Sequence, residues 1–289
     1  MGSVYNSPEA SAPLAVADLA AHPWPRFGNR KKYDPRAYQL LLTAIPAIFR
    51  LDKDEYLRAG ADLHQTLTIE PEYAAAHAWY AYWHIFLVGQ GWAEDPRAAM
   101  AAANAAAEQA VRLDPFDAKA LTIAGHVRAF LHRRLEEAAA FHERALAVDP
   151  NLPMAWAFSG VALSYGGQQD EALERLDRYK HLSPHDPHAF FFDGAMMLPR
   201  LLLGRHAEAA AIGKRVIMLK PGLSASYKPY IAAIGHLGDR QEADWARGHL
   251  LALEPNFTVS RFLAGTPFAA ERDRNHYAQG LLRAGIPEH

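Results

Sequence analysis

The sequence predicts an all-α fold: about six antiparallel helical hairpins stacked in one direction and closed by a C-terminal helical cap. Three observations predict it. Short tags ending in proline recur as Ile69-Glu70-Pro71, Leu113-Asp114-Pro115, Val148-Asp149-Pro150, Leu182-Ser183-Pro184, Leu219-Lys220-Pro221 and Leu253-Glu254-Pro255, and these prolines stand 44, 35, 34, 37 and 34 residues apart. A fixed period of this size marks a repeat architecture, in which each unit buries its apolar face only against its neighbours. Within each interval apolar residues recur at three and four, and a turn rich in Gly or charge divides the unit into two helices.

The elements follow in order. Residues 1–35 hold Pro8, Pro13, Pro23, Pro25 and Pro35 with little periodicity and read as an extended leader. Its Arg26, Arg30, Lys31, Lys32 and Arg36 form a basic cluster, either a solvated linker or a contact for an acidic partner or phosphate. Residues 36–255 form the array. Pro46 and Pro199 fall inside first helices, where a missing N–H and a ring clash predict a kink or break. Residues 256–289 form the cap, with short helices over 256–265 and 268–284 that keep the last hairpin from exposing an apolar face.

The unit from Pro153 to Pro184 is the clearest, with Trp156, Gly160, Gly167, Ala172, Leu176 and Pro184 at relative positions 4, 8, 15, 20, 24 and 32. Gly160 and Ala172 sit where paired helices touch, and Trp156 fills the space between hairpins. This unit resembles a tetratricopeptide repeat (TPR), and the resemblance spans roughly residues 36–255; Gly238, Ala243 and Pro255 keep the spacing in the last unit. The resemblance implies a right-handed superhelix whose concave groove is lined by the first helix of every repeat. A narrower resemblance is carried by Ala76-His77-Ala78-Trp79 through Trp83-His84, by Val88-Gly89-Gln90-Gly91-Trp92 and Ala124-Gly125-His126, and by the close at Gly280-Leu281-Leu282-Arg283-Ala284-Gly285-Ile286-Pro287. These stretches are similar to the C-terminal repeat regions of bacterial signalling proteins in which the array follows a nucleotide cyclase or a winged-helix DNA-binding domain. Residues 1–35 are too few for either domain, so what the resemblance implies here is a sensory or partner-binding role.

Register with the best unit then places His77, Tyr80, His84, Leu87 and Val88 on the groove face of the second repeat. It places Lys119, Thr122, His126, Ala129 and Phe130 on that of the third, and Met154, Ala157, Val161, Ser164 and Tyr165 on that of the fourth. His188 and Phe191 follow in the fifth, and Lys228, Ala232 and His236 in the sixth. An aromatic, histidine-rich lining with two lysines suits an apolar or aromatic peptide held by a few hydrogen bonds. It departs from the Lys/Asn/Arg set with which some TPR proteins clamp C-terminal carboxylates. The alternative is that these side chains pack between repeats or against a terminal segment folded into the groove. Trp92, in the insertion near 89–96, is the loop candidate for a partner contact; alternatively it tucks over the hairpin end.

Composition excludes much else. The 289 residues carry 30 Lys+Arg against 32 Asp+Glu, a formal net charge of −2, with 50% hydrophobic residues and no cysteine. Such a chain can bury a core, has no general electrostatic footprint for nucleic acid, and has no thiolate for a zinc site, disulfide or nucleophile. The longest uncharged run, Tyr73 to Ala93, contains His77, His84 and Gln90 and ends in turn-forming glycines, so no membrane span is expected. The nearest matches to a phosphate loop, a dinucleotide fingerprint, a nucleophile elbow and a metalloprotease helix each lack required residues. His181, His185 and His188 have ligand-like spacing but cross two prolines at a turn; no metal or cofactor is expected. General acid–base work by Tyr80, His84, His126 and Tyr165 is the enzymatic alternative, and no carboxylate falls in the same patch. The sequence therefore reads as a non-catalytic cytoplasmic module for a protein or peptide partner, with a homodimer as the alternative occupant.

Overall fold

The computed structural model describes residues 33–186 and 189–289. In chain order the helices are α1 (Pro35–Arg50), α2 (Lys53–Ile69), α3 (Ala74–Gly89), α4 (Pro96–Leu113), α5 (Ala118–His126), α6 (Leu135–Val148), α7 (Pro153–Gly166), α8 (Gln169–Leu182), α9 (Ala189–Ala195), α10 (Met197–Leu202), α11 (His206–Leu219), α12 (Ser224–Leu237), α13 (Arg240–Leu253), α14 (Val259–Gly265) and α15 (Glu271–Arg283). No strand occurs among the described residues.

The proline tags explain where the second helices stop. In each tag the first residue is the last helical one, and the second donates its N–H into the final turn: Glu70 to Thr66, Asp114 to Ala110, Asp149 to Ala145, Ser183 to Tyr179, Lys220 to Val216 and Glu254 to Leu250. The proline that follows has no N–H with which to continue. Several starts are fixed by aspartates: Asp52 accepts from the Glu55 N–H, Asp95 from Arg97 and Ala98, Asp117 from Lys119 and Ala120, and Asp239 from Glu242. Gly167 and Gly238 close α7 and α12 with φ of 87° and 77°, the left-handed region that a Cβ disfavours.

The two helices of a hairpin touch through small residues. A Cβ on Gly160 would stand 2.8 Å from Leu176 Cγ and 2.9 Å from the Ala172 carbonyl oxygen, so α7 and α8 cross with almost no side chain between them. First helices also pack on one another, α3 on α5 and α5 on α7, forming an inner wall.

The two prolines behave differently. α1 runs unbroken through Pro46 to Arg50 and ends at Leu51 with φ 50°. The first helix of the fifth repeat is instead split into α9 and α10 at Met196, three residues before Pro199. Pro199 cannot donate to the Ala195 carbonyl, and the Met196 N–H divides between the Phe192 and Asp193 oxygens, 3.2 Å each. α5 widens into a π-turn over Val127–Leu131, which apolar spacing at three and four does not mark.

Two further features shape the array. It curls far enough for its first two hairpins to meet its later ones: Lys220 Nζ donates to the Arg50 carbonyl at 3.2 Å, Ser224 Oγ to Gln90 Oε1 at 3.0 Å, and Phe86 meets Phe191 with ring centroids 4.7 Å apart. The C-terminal segment does more than cover the last hairpin. It runs back to the fourth repeat, where the Ala269 N–H donates to the Tyr165 carbonyl at 2.9 Å and Gln169 Nε2 to Asp273 Oδ2 at 2.9 Å, while Tyr277, Leu281 and Ile286 join the core of the last repeats.

Candidate functional site

α3 carries the densest candidate set because its 16 residues hold large apolar and aromatic side chains on more than one face, and only part of them can be covered by α2 and α4. Residues three and four apart share a face, so Tyr80 meets both Trp83 and His84. The Tyr80 ring lies parallel to Trp83, 5.8 Å between centroids at 4°, and edge-on to His84 at 4.6 Å. The His64 ring of α2 lies 6.5 Å from Tyr80, tilted at 59°. Trp83 is fixed from below: its Nε1 donates to the Tyr56 carbonyl at 2.7 Å, and Tyr56 donates its hydroxyl to the Trp83 carbonyl. Tyr80 is thus a half-buried ring resting on a locked indole.

His84 is buried, with neither ring nitrogen hydrogen-bonded among the described residues. Burial lowers its pKa to about 4, so it is neutral near pH 7. His77, half-buried at the start of the same face, has Nε2 2.8 Å from the Pro71 carbonyl.

On α5 the Lys119 ammonium stands over the Trp79 ring at 5.0 Å, which links the first helices of the second and third repeats through a cation–π contact. Lys119 and Phe130 are half-buried, whereas Thr122 is fully buried and returns its hydroxyl to the Ala118 carbonyl at 2.7 Å. His126 is stacked between Phe130 at 5.7 Å and Phe158 at 4.0 Å. Burial first, then the nearby His142, holds His126 well below the usual histidine range.

The remaining predicted residues occupy separate places. Phe191 packs on Phe86 and on Phe158, within an aromatic cluster that includes Tyr82 and Phe192. Tyr165 stands edge-on to Phe268 of the C-terminal segment at 5.9 Å, and burial raises its pKa to about 12. Lys228 is paired with Glu254 at 2.8 Å and lies over Phe257 at 5.3 Å. Trp92 is half-buried, edge-on to Tyr56 at 5.3 Å, with its backbone N–H donating to the Leu87 carbonyl at 2.9 Å. His188 and the leader's basic cluster up to Lys32 lie outside the described residues.

The structure therefore pairs Tyr80 with His84, sets Lys119 over Trp79, and places His126 and Phe191 against Phe158 with Phe130 on His126, while Tyr165, Lys228 and Trp92 each meet a local partner. Trp79, Trp83 and Phe158 organise the site and were not singled out as site residues from sequence. Their spacing from Tyr80 and His126 gives them away only when the partner helix is known. The arrangement offers aromatic faces, a hydroxyl and an ammonium. No described helix is long and apolar enough to cross a membrane; the uncharged run from Tyr73 folds into α3, whose 16 residues fall short of the roughly 20 a span requires.

No protein-family model matches the chain, and no curated protein does. Solved structures do. TTC0263, a thermophilic TPR protein in Thermus thermophilus, is 18% identical with a TM-score of 0.54, covering 68% of this chain and 98% of its own. PilW, a widely conserved type IV pilus biogenesis factor, is 20% identical with a TM-score of 0.53 over 78% of this chain and 96% of its own. The human IFIT1 dimer with m7Gppp-AAAA is 16% identical with a TM-score of 0.60, over 86% of this chain and 60% of its own. At these identities the likeness is one of fold. The chain has the α-solenoid fold of the tetratricopeptide-repeat proteins.

Proposed function

We propose that the protein is a non-catalytic scaffold that binds a protein or peptide segment along the inner face of α3 and α5, in bacterial signalling or regulation within the cytoplasm. The observation that carries this reading is the half-buried Tyr80 ring held flat on Trp83, with the Lys119 ammonium on the adjoining helix standing over Trp79. A rigid aromatic platform loses little conformational entropy on binding, and a neighbouring ammonium supplies a directional anchor for a backbone carbonyl or a carboxylate. His77 and Phe130 extend the face at its two ends. The signalling context rests on the likeness of the segments around His77–His84, Gly89–Trp92 and Gly280–Pro287 to the repeat regions of bacterial regulators.

A protein segment suits this face better than a nucleic acid. Phosphate backbones require several uncommitted cations, and of the two lysines that register places on the groove, Lys228 is neutralised by Glu254 at 2.8 Å. General acid–base work is disfavoured because Tyr165 is turned to Phe268 and His126 is closed between two phenyl rings.

Selection from a random displayed peptide library tests the reading. Wild type should enrich a motif containing an aromatic or aliphatic anchor, and a Tyr80→Ala/Lys119→Ala variant of unchanged circular dichroism should not. Enrichment of the same motif by both proteins would place the binding face elsewhere.

A further inference from the structure

Outside that face, three histidines far apart in sequence converge at the C-terminal end of the array. His206 is the first residue of α11, His236 lies in the last turn of α12, and His276 is in the middle of α15. The meeting follows from glycine. α12 and α15 cross at Gly235 and Gly280, where a Cβ on Gly235 would overlap the Gly280 carbonyl and one on Gly280 would stand 2.8 Å from His236 Cδ2. Backbone contact this close sets the imidazoles of the two helices side by side. His206 joins from the turn after α10, its Nε2 3.0 Å from His276 Nε2. One ligating nitrogen from each ring lies within 4.8 Å of the other two, and all three residues are half-buried.

The geometry assigns this triad as a binding site for a late first-row divalent cation of the zinc class. Imidazole nitrogen is a preferred ligand for such ions, and Zn–N bonds of about 2.0–2.1 Å at tetrahedral angles set ligand nitrogens roughly 3.3 Å apart. The His206–His276 pair already stands at 3.0 Å. The three rings are stacked, with centroids 4.2, 4.3 and 5.2 Å apart and interplanar angles of 13°, 6° and 17°. A ligating lone pair lies in the ring plane, so binding turns the rings about χ2 and breaks the stack. The rings can be turned because their present polar contacts are few: His236 Nε2 with the His276 carbonyl at 2.9 Å, His276 Nε2 with the Leu201 carbonyl at 3.0 Å, and Arg283 Nη1 with His236 Nδ1 at 3.2 Å. Arg283 is exposed, so its guanidinium is free to swing into solvent.

Neutral imidazoles are what a metal needs, and burial together with the mutual repulsion of the three rings and Arg283 lowers His206 to about 4. Three neutral ligands leave the ion doubly charged with a fourth position open to water or an anion. The ion would tie the C-terminal segment to the fifth and sixth hairpins. Sequence spacing hides the site, because intervals of 30 and 40 residues match no local ligand pattern.

The test uses the untagged full-length chain, stripped with a chelator and titrated with Zn2+ by calorimetry near pH 7.5. Wild type should take up one equivalent and melt at a higher temperature once loaded. His206→Ala, His236→Ala and His276→Ala should each weaken binding by more than the roughly 10–100-fold that outer-shell changes cost, while His181→Ala/His185→Ala should bind as wild type does. Co2+ on wild type should give the intense visible absorption of a tetrahedral site, reversed by chelator. This readout decides the matter even if the alanine variants do not fold. Absence of stoichiometric uptake, equal uptake by folded His206→Ala, or only the weak absorption of six-coordinate Co2+ would overturn the assignment.

Discussion

Tyr56 and Trp83 exchange hydrogen bonds across the second and third helices: the indole Nε1 donates to the Tyr56 carbonyl at 2.7 Å, the phenol donates to the Trp83 carbonyl, and the rings stack at 5.7 Å and 16°. Tyr56 is wholly buried. Both donations reach carbonyls that already serve the helix ladders, so each residue holds the other's helix at a fixed distance. This clamp sets the height of the platform on which Tyr80 rests. Tyr56→Phe removes one buried hydrogen bond and leaves the Trp83 carbonyl still serving its helix, so it should cost about 0.5–1.5 kcal/mol, the usual net worth of such a bond. Denaturant unfolding measures it, and a change below about 0.5 kcal/mol would mean that the clamp is redundant.

A second prediction concerns the crossing of α12 with α15. Gly235→Ala would drive a methyl group into the Gly280 carbonyl, and backbone cannot yield as a flexible side chain can. Overpacking of this kind typically costs about 1–3 kcal/mol, and here the C-terminal segment is expected to detach in preference. Hydrogen exchange should show α15 losing protection while α2 to α5 keep theirs.

Phe191 supplies a third. It meets Phe86 at 4.7 Å and Phe158 at 6.3 Å, and so joins helices more than a hundred residues apart in sequence. Phe191→Ala should destabilise by about 2 kcal/mol or more, and its coupling to Phe86→Ala in a double-mutant cycle should reach about 0.5–1.5 kcal/mol. A groove residue pointing to solvent would show neither.

Acid should weaken the fold through its buried imidazoles. Burial lowers His84 to about 4; His142, buried and close to Arg175, is lowered to about 3. In the unfolded chain both titrate near 6.5. Below about pH 6.5 the unfolded state binds protons that the folded state refuses, so stability falls as pH falls. The loss grows until the folded values near 4 and 3 are reached, then levels. Urea midpoints between pH 7.5 and 4.5 should decline for wild type and decline less for His142→Gln.

Much of the fold was legible because period and chemistry agree. The residue before each C-cap, the cap and the proline in Leu113-Asp114-Pro115 and its five counterparts mark the ends of second helices to the residue. Gly160 marked a helix crossing for the simple reason that nothing larger fits. The two internal prolines show the limit. Pro46 lies within an unbroken α1 and Pro199 follows a real break, and only the packing around Met196 separates the cases. The site was less legible than the fold. Register finds which residues of α3 and α5 share a face, as with Tyr80 and His84, but cannot tell a half-buried Lys119 from a fully buried Thr122 one helical turn on. Contacts made by the curl of the array, such as Phe86 with Phe191, and by the returning C-terminal segment, such as Phe268 with Tyr165, depend on superhelical geometry that no single repeat encodes.

The central claim is that Tyr80 on Trp83, together with Lys119 over Trp79 on the adjoining helix, forms the binding face. Its most direct test is calorimetric titration of the best selected peptide into wild type, Tyr80→Ala and Lys119→Ala, each first shown to unfold at an unchanged denaturant concentration. The account predicts an affinity loss of at least tenfold, about 1.4 kcal/mol, for each variant. Equal affinity across all three proteins would contradict it.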